Sequence, residues 1–248
     1  MLGLLLYRLG TYYSHILQEP DPAIAHLLTA LPLANAPEEK AWINDQLAYA
    51  YELKYRSTRL ASDREKALYY SAKVITNSPK KNQALAFAYC VKGLVQHDAQ
   101  EDAASLTSFK KAINIYKSVH AEKSDQYARA KNMLADLLLE QNPQNKTALA
   151  MLIEVKRFWT THDHGEPNPY AARNLLSLGQ AYLRLGNIKA AQTAVQKALA
   201  INQHVYGPLS EQLLTSYQLL SEVYTKVGNS KLAEAYEEKI NLLTNKAI

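Results

Sequence analysis

The chain has 248 residues, 48% of them apolar and 21% charged, and a formal net charge of +5. These are the proportions of an ordinary folded protein, so wholesale disorder is excluded. Eight glycines and nine prolines leave too few tight turns for a barrel, a sandwich or a Rossmann sheet. The one cysteine, Cys90, excludes an internal disulfide and any CxxC metal or redox motif.

The chain opens on an apolar run, Met1–Tyr7, far short of the roughly 20 residues that cross a bilayer. It lacks the basic lead and small-residue cleavage site of a secretory signal. The run predicts an amphipathic helix of the mature fold carrying Leu9-Gly10 and Tyr13, followed by Ala23, Leu27 and Ala30 on a second helix beyond Pro20 and Pro22. Next come Leu47-Ala48 with Tyr51, a stretch at Tyr55–Ser62 that adds about seven residues to the turn, and Ala67, with Pro79 twelve residues later. From Gly93, small or apolar residues fall at offsets of 12, 16 and 19: Ser105, Phe109 and Ala112. Leu134-Ala135 with Leu138 starts a degenerate fourth unit. Gly179, preceded by Leu178 and followed by Tyr182 and Gly186, repeats the offsets 12, 16 and 19 at Ala191, Val195 and Ala198. Leu220-Ser221 with Tyr224 and Gly228 begins the last unit.

The small residues at 93 and 135, and those at 179 and 221, are 42 positions apart, a period that signals stacked repeats. Prolines and Gly-Asn pairs fall between the helical runs, where helices stop. No convincing strand pattern appears. The chain is therefore all-α: twelve helices in six hairpins, spanning about 2–34, 37–79, 82–119, 124–160, 168–206 and 209–245. A single α-solenoid over 1–248 is the expected domain organisation. Two antiparallel helices approach closely only where side chains are small. Gly10, Ala48, Gly93, Ala135, Gly179 and Ser221 therefore belong on first helices, opposite Ala23, Ala67, Ser105 and Ala191 on second helices. A lone hairpin cannot bury both faces, so each unit must stack on the next.

On these residues the chain resembles a tetratricopeptide repeat (TPR) array. Leu178, Gly179, Tyr182, Gly186, Ala191, Val195 and Ala198 match the family pattern almost completely. The common unit is about 34 residues, and the longer period here is similar to that of kinesin light chains and bacterial signalling proteins, most of all over Lys197–Tyr224. Gln96 stands where the pattern has Tyr, Lys92 where it has Leu, and Glu237 where it has a bulky apolar residue. The resemblance implies an α-α superhelix whose first helices line a concave groove for an extended peptide or a partner helix. Carried onto this sequence, the groove residues are Asp45, Tyr49, Asn132, Asp136, Arg173, Gln180, Arg184, Gln218 and Glu222. Helical spacing independently places Arg173, Gln180 and Arg184 on one face. A carboxylate clamp is not recognisable, because its places hold Tyr7, Thr11, Asp45, Tyr49, Cys90 and Leu94.

Catalytic signals are absent: there is no phosphate loop, no GxSxG elbow and no HExxH. No enzyme activity, cofactor or metal is expected. His162-Asp163-His164 with nearby Glu166 reads as a polar loop, since no further ligand stands at metal spacing. Cys90 lies in an apolar run and reads as an inert buried thiol. Lys110, Lys111, Lys117, Lys123, Arg129 and Lys131 are interleaved with acids and read as a solvated face, so nucleic acid is not an expected partner. Leu2, Leu4, Leu5 and Leu6 put apolar groups on several sides of the first helix. That implies self-association through this helix, or further protein before Met1. The functional expectation is a cytoplasmic, non-enzymatic adaptor that binds a protein or peptide without membrane insertion. The alternative is a regulatory or sensor arm of a larger signalling or transcription-regulatory protein.

Overall fold

The computed structural model describes residues 1–78, 80–162 and 167–245. Among them are twelve α-helices and no strand. The helices are α1 (Leu2–Tyr12), α2 (Pro20–Ala30), α3 (Pro37–Thr58), α4 (Ala61–Asn77), α5 (Gln83–Asp98) and α6 (Asp102–Ser118). They continue as α7 (Asp125–Gln141), α8 (Lys146–Thr161), α9 (Pro169–Arg184), α10 (Ile188–Tyr206), α11 (Leu214–Lys226) and α12 (Ser230–Thr244). Pro20, Pro37 and Pro169 occupy first helical positions, where the missing N–H costs nothing and the fixed φ suits the helix. Asn82, Asn145, Asn168, Asn187 and Asn229 cap α5, α8, α9, α10 and α12 by accepting backbone N–H bonds. Pro79 lies outside the described residues.

The chain divides into two compact units, 1–130 and 131–248. In the first, α1 pairs with α2, α3 with α4 and α5 with α6. A π-helical turn at Tyr13–Leu17 ends α1, with Gln18 left-handed before Pro20. In the α1–α2 and α5–α6 hairpins a glycine on the first helix lets the second helix approach closely. A Cβ on Gly10 would lie 2.5 Å from Leu27 Cγ, and one on Gly93 would lie 3.0 Å from the Phe109 ring. Ser105 adds a bond across the α5–α6 contact, donating to Gly93 O at 2.8 Å. The tyrosines beside these contacts stack: Tyr13 on His26 and Tyr51 on Tyr70. Trp42, on α3, is 52% exposed.

The expected long turn at Tyr55–Ser62 is instead helix. The α3 helix runs on through Thr58, and only Arg59 and Leu60 connect it to α4. No Gly or Pro interrupts this stretch, and Glu52 and Arg56 stand four apart, a spacing that supports helix. Arg59, at φ 56, then closes the helix in the left-handed conformation.

The second unit is built on the same contact. A Cβ on Gly179 would come within 2.4 Å of Val195 Cγ2. Its core joins Leu183, Val195, Leu213, Tyr217, Leu220 and Val223 with flanking residues of α12. A second cluster joins Ala135 and Leu139 of α7 to Leu152 of α8, Leu178 of α9 and Ala194 of α10. Trp159 is buried at the end of α8 and stacks on Tyr170.

One turn recurs in three hairpins. After α9, Gly186 N–H donates to Leu183 O and Asn187 N–H to Tyr182 O, and Gly228 and Asn229 repeat this after α11. After α5 the same two bonds come from Gln100 and Glu101, to His97 O and Gln96 O. Gly186 and Gly228 have φ of 75 and 74, and Gln100 adopts φ 62 without glycine's freedom.

Candidate functional site

The expected groove residues fall into two environments. Asp45 and Tyr49, on α3 of the first unit, are buried rather than displayed. His15 of the π turn stacks on Tyr49 with ring centroids 4.5 Å apart, and its Nε2 lies 2.6 Å from Gln46 Oε1. Arg129, from the start of α7, holds its guanidinium over the rings of Tyr49 and Phe87, 5.5 Å from each centroid. Burial raises the Asp45 carboxyl well above its ordinary range, and the nearby Arg129 charge opposes the shift. His15 is pushed well below its ordinary value by burial first and the Arg129 charge second. Cys90, in the same core, is fully buried, and burial drives its thiol pKa upward. It remains a protonated, inert thiol. Asp45 and Tyr49 are thus covered by the unit's own side chains.

Arg129 therefore leaves the solvated basic face expected of its neighbourhood. Lys111 lies over the Tyr89 ring at 4.4 Å, and Lys131 is ion-paired with Glu154. These three cations of the stretch are thus engaged separately.

In the second unit, α7, α9 and α11 lie side by side. The α9 and α11 helices pack directly, and Arg184 Nη1 donates to Leu139 O of α7 at 3.1 Å. Arg173, Gln180, Arg184, Gln218 and Glu222 are all exposed, and Glu222 faces Lys226 one turn on, at 3.7 Å. Asp136 is half-buried, and its carboxyl is raised by burial against the opposing pull of Arg173, Ser177 and Asn132. Asn132 is buried and fully engaged within the unit. Its Nδ2 donates to Asp136 Oδ2 at 2.9 Å and to Ser177 Oγ at 3.1 Å, while its Oδ1 accepts from Asn174 Nδ2 at 2.8 Å. Asn174 donates also to Leu152 O. An amide so occupied positions Asp136 and ties α7 to α9.

Asn174, Ser177, His15 and Arg129 were not among the expected site residues. Asn174 had a signal, standing 42 positions after Asn132 in a helix otherwise apolar on that side.

No group of three or more metal-binding side chains occurs among the described residues. His162 stacks on Phe158 at 4.1 Å. Asp163, His164, Gly165 and Glu166 lie outside the described residues. No helix among the described residues is long and apolar enough to cross a membrane.

Residues 170–240 match the family model of the tetratricopeptide repeat. In fold the chain is similar to BtubC (BKLC) from P. vanneervenii, at 20% identity and a TM-score of 0.62, over 98% of this chain and 92% of that one. The apo form of RapI is similar at 14% identity and a TM-score of 0.59, over 100% of this chain and 99% of that one. A Rap protein complexed with Competence and Sporulation Factor is similar at 14% identity and a TM-score of 0.62, over 98% of this chain and 64% of that one. No curated protein sequence matches. At these identities the likeness is one of fold, and the shared fold is an all-α, TPR-like helical repeat.

Proposed function

We propose that this chain, a TPR-type repeat protein, is a non-enzymatic adaptor that captures a peptide or helix of a partner along the first helices of its second unit. The observation that carries this reading is the exposed row of Arg173, Gln180 and Arg184 on α9, flanked by Gln218 and Glu222 on α11 and by Asp136 on α7. Side chains that combine charge with amide groups on adjacent helices suit an extended backbone, whose own N–H and C=O groups need partners. The complex of a Rap protein with Competence and Sporulation Factor supports a partner bound to this kind of fold. Asp45 and Tyr49, being buried, are not part of the contact surface in this reading.

The experiment is partner capture from a lysate with crosslinking mass spectrometry, comparing the native chain with Arg173→Glu/Arg184→Glu. Loss of capture by the variant, with native crosslinks on α7, α9 and α11, is the expected result. Unchanged capture, or crosslinks confined to α8, α10 and α12, overturns the proposal.

A second reading, a regulatory or sensor arm of a larger signalling protein, is supported by that same Rap complex, of whose length this chain covers 64%. In either case a cytoplasmic location fits the lone buried thiol. Self-association is a further part of the proposal. Leu2, Leu4 and Leu5 on α1 are 61%, 56% and 55% exposed, and such apolar patches mark contact surfaces. Light scattering should show a second copy bound in the native chain and a monomer for Leu5→Glu. A monomer in both removes this contact.

A further inference from the structure

The first unit holds a cavity of about 640 Å³ where the end of α2, the start of α3 and the end of α4 converge. That volume lies within the range of small-ligand sites. Leu31, Pro32 and Val74 supply its apolar wall, while Lys40, Lys73 and Asn44 line the remainder. Among the described residues, no acidic side chain lines it. Glu39, next to Lys40 in the sequence, accepts the backbone N–H groups of Asn35 and Ala36 at 3.0 and 3.3 Å. Lys40 has no acidic partner within 4 Å among the described residues. Lys73 holds its ammonium 4.6 Å from the Tyr69 ring centroid, a weaker attraction than a carboxylate offers. Asn44 Oδ1 is buried without a hydrogen-bond partner, and a buried acceptor in that state favours any donor brought to it.

We propose that this cavity binds a small organic carboxylate carried on an apolar body with an amide N–H. The carboxylate is held between Lys40 and Lys73, the apolar body lies on Leu31 and Val74, and the amide N–H meets Asn44 after a turn of its carboxamide. Two cations that form no ion pair among the described residues select the negative charge. The apolar wall selects against inorganic anions, which gain nothing from it. This site lies in the first unit, apart from the partner surface proposed on α7, α9 and α11, and stands or falls independently of it.

The test is an NMR titration of the isotope-labelled full chain with N-acetyl-leucyl-leucine, following the Asn44 side-chain amide and the Val74 methyls. Saturable shifts at these groups, with a Kd of about 1 mM or tighter, are expected. The C-terminal amide of the same dipeptide, which lacks the negative charge, should bind at least about tenfold more weakly to the unmodified chain. Lys40→Glu should weaken the acid to a similar degree with an unchanged circular dichroism spectrum, while Arg173→Glu/Arg184→Glu should leave it unaffected. No saturable shift, or equal binding of acid and amide, overturns the proposal; the amide comparison needs no folded variant.

Discussion

Ser221 on α11 donates to Glu237 on α12 at 2.5 Å, across the hairpin position that Gly179 and Val195 fill with an apolar contact in the preceding repeat. Both pairs are sixteen residues apart. The polar residue that breaks the repeat pattern is thus answered by a hydroxyl at the small position. Gln96, the polar departure in the third repeat, also meets a hydroxyl across its hairpin, with Ser108 Oγ donating to Gln96 Oε1 at 2.6 Å. Ser221→Ala should cost about 1 kcal/mol. Glu237 itself is exposed, so Glu237→Gln added to Ser221→Ala should cost little beyond the single change. Urea unfolding measures both, and fully additive losses contradict the pairing.

Gly179 shows what the close approach demands. Alanine is a better helix former by about 0.8–1.0 kcal/mol, so Gly179→Ala would stabilise an open helix. Here the new methyl would meet Val195 Cγ2 at 2.4 Å, and a valine in a helix has essentially one rotamer. Overpacking of this kind costs about 1–3 kcal/mol, so a net loss is expected. Gly179→Ala/Val195→Ala should cost less than the sum of the two single changes, as thermal melts would show. Additive losses would mean that the two side chains do not compete for the same space.

Gln100 occupies a left-handed turn that Gly186 and Gly228 fill elsewhere. The left-handed conformation costs a residue with a Cβ about 1–2 kcal/mol. Gln100 is exposed, so little else is lost on substitution. Gln100→Gly should raise stability by about 0.5–1 kcal/mol after the entropy of the freer unfolded chain is subtracted. A lower urea midpoint for the variant would contradict this.

His15 gives the fold a defined response to acid. Its pKa is lowered in the folded chain, by burial first and Arg129 second, so the folded state binds the proton less readily than the unfolded one. Stability from this group is complete above its unfolded pKa of about 6.5 and is lost as pH falls toward the folded value. By pH 5.5 the loss is on the order of 1 kcal/mol. Asp45 and Asp136, with raised carboxyl pKa values, act in the opposite sense, gaining stability as pH falls toward their unfolded values near 4. The contribution of His15 is therefore isolated as the difference between the native chain and His15→Gln. That difference should shrink on going from pH 7.5 to 5.5, and a constant difference contradicts the assignment.

The contacts between paired helices were legible because they depend on local size alone. A small residue at 93 or 179 needs a bulky one sixteen positions later, and both are visible in the sequence. The turn after α3 is shorter than the family pattern implies, because 55–62 holds no helix breaker to start it early. The surface at Arg173, Gln180 and Arg184 followed from spacing on one helix. The burial of Asp45 and Tyr49 did not, because the groups that cover them come from elsewhere: His15 is 34 residues before Tyr49 and Arg129 is 80 after it. A repeat pattern describes what neighbours share, and these residues are peculiar to one repeat. Asn132 shares a face with the expected surface in the sequence, but its carboxamide bonds to Asp136, Ser177 and Asn174 within the unit.

The chain's two tryptophans are divided between its units, Trp42 half in water and Trp159 enclosed at 7% exposure. An enclosed indole emits at shorter wavelength and shifts red when its surroundings melt, while an indole already in water shifts little. In a Trp42→Phe chain, the colour of the emitted light therefore tracks residues 131–248 alone. Comparing its midpoint with that from far-ultraviolet circular dichroism, which averages over every helix, reveals whether the two halves melt together or in turn.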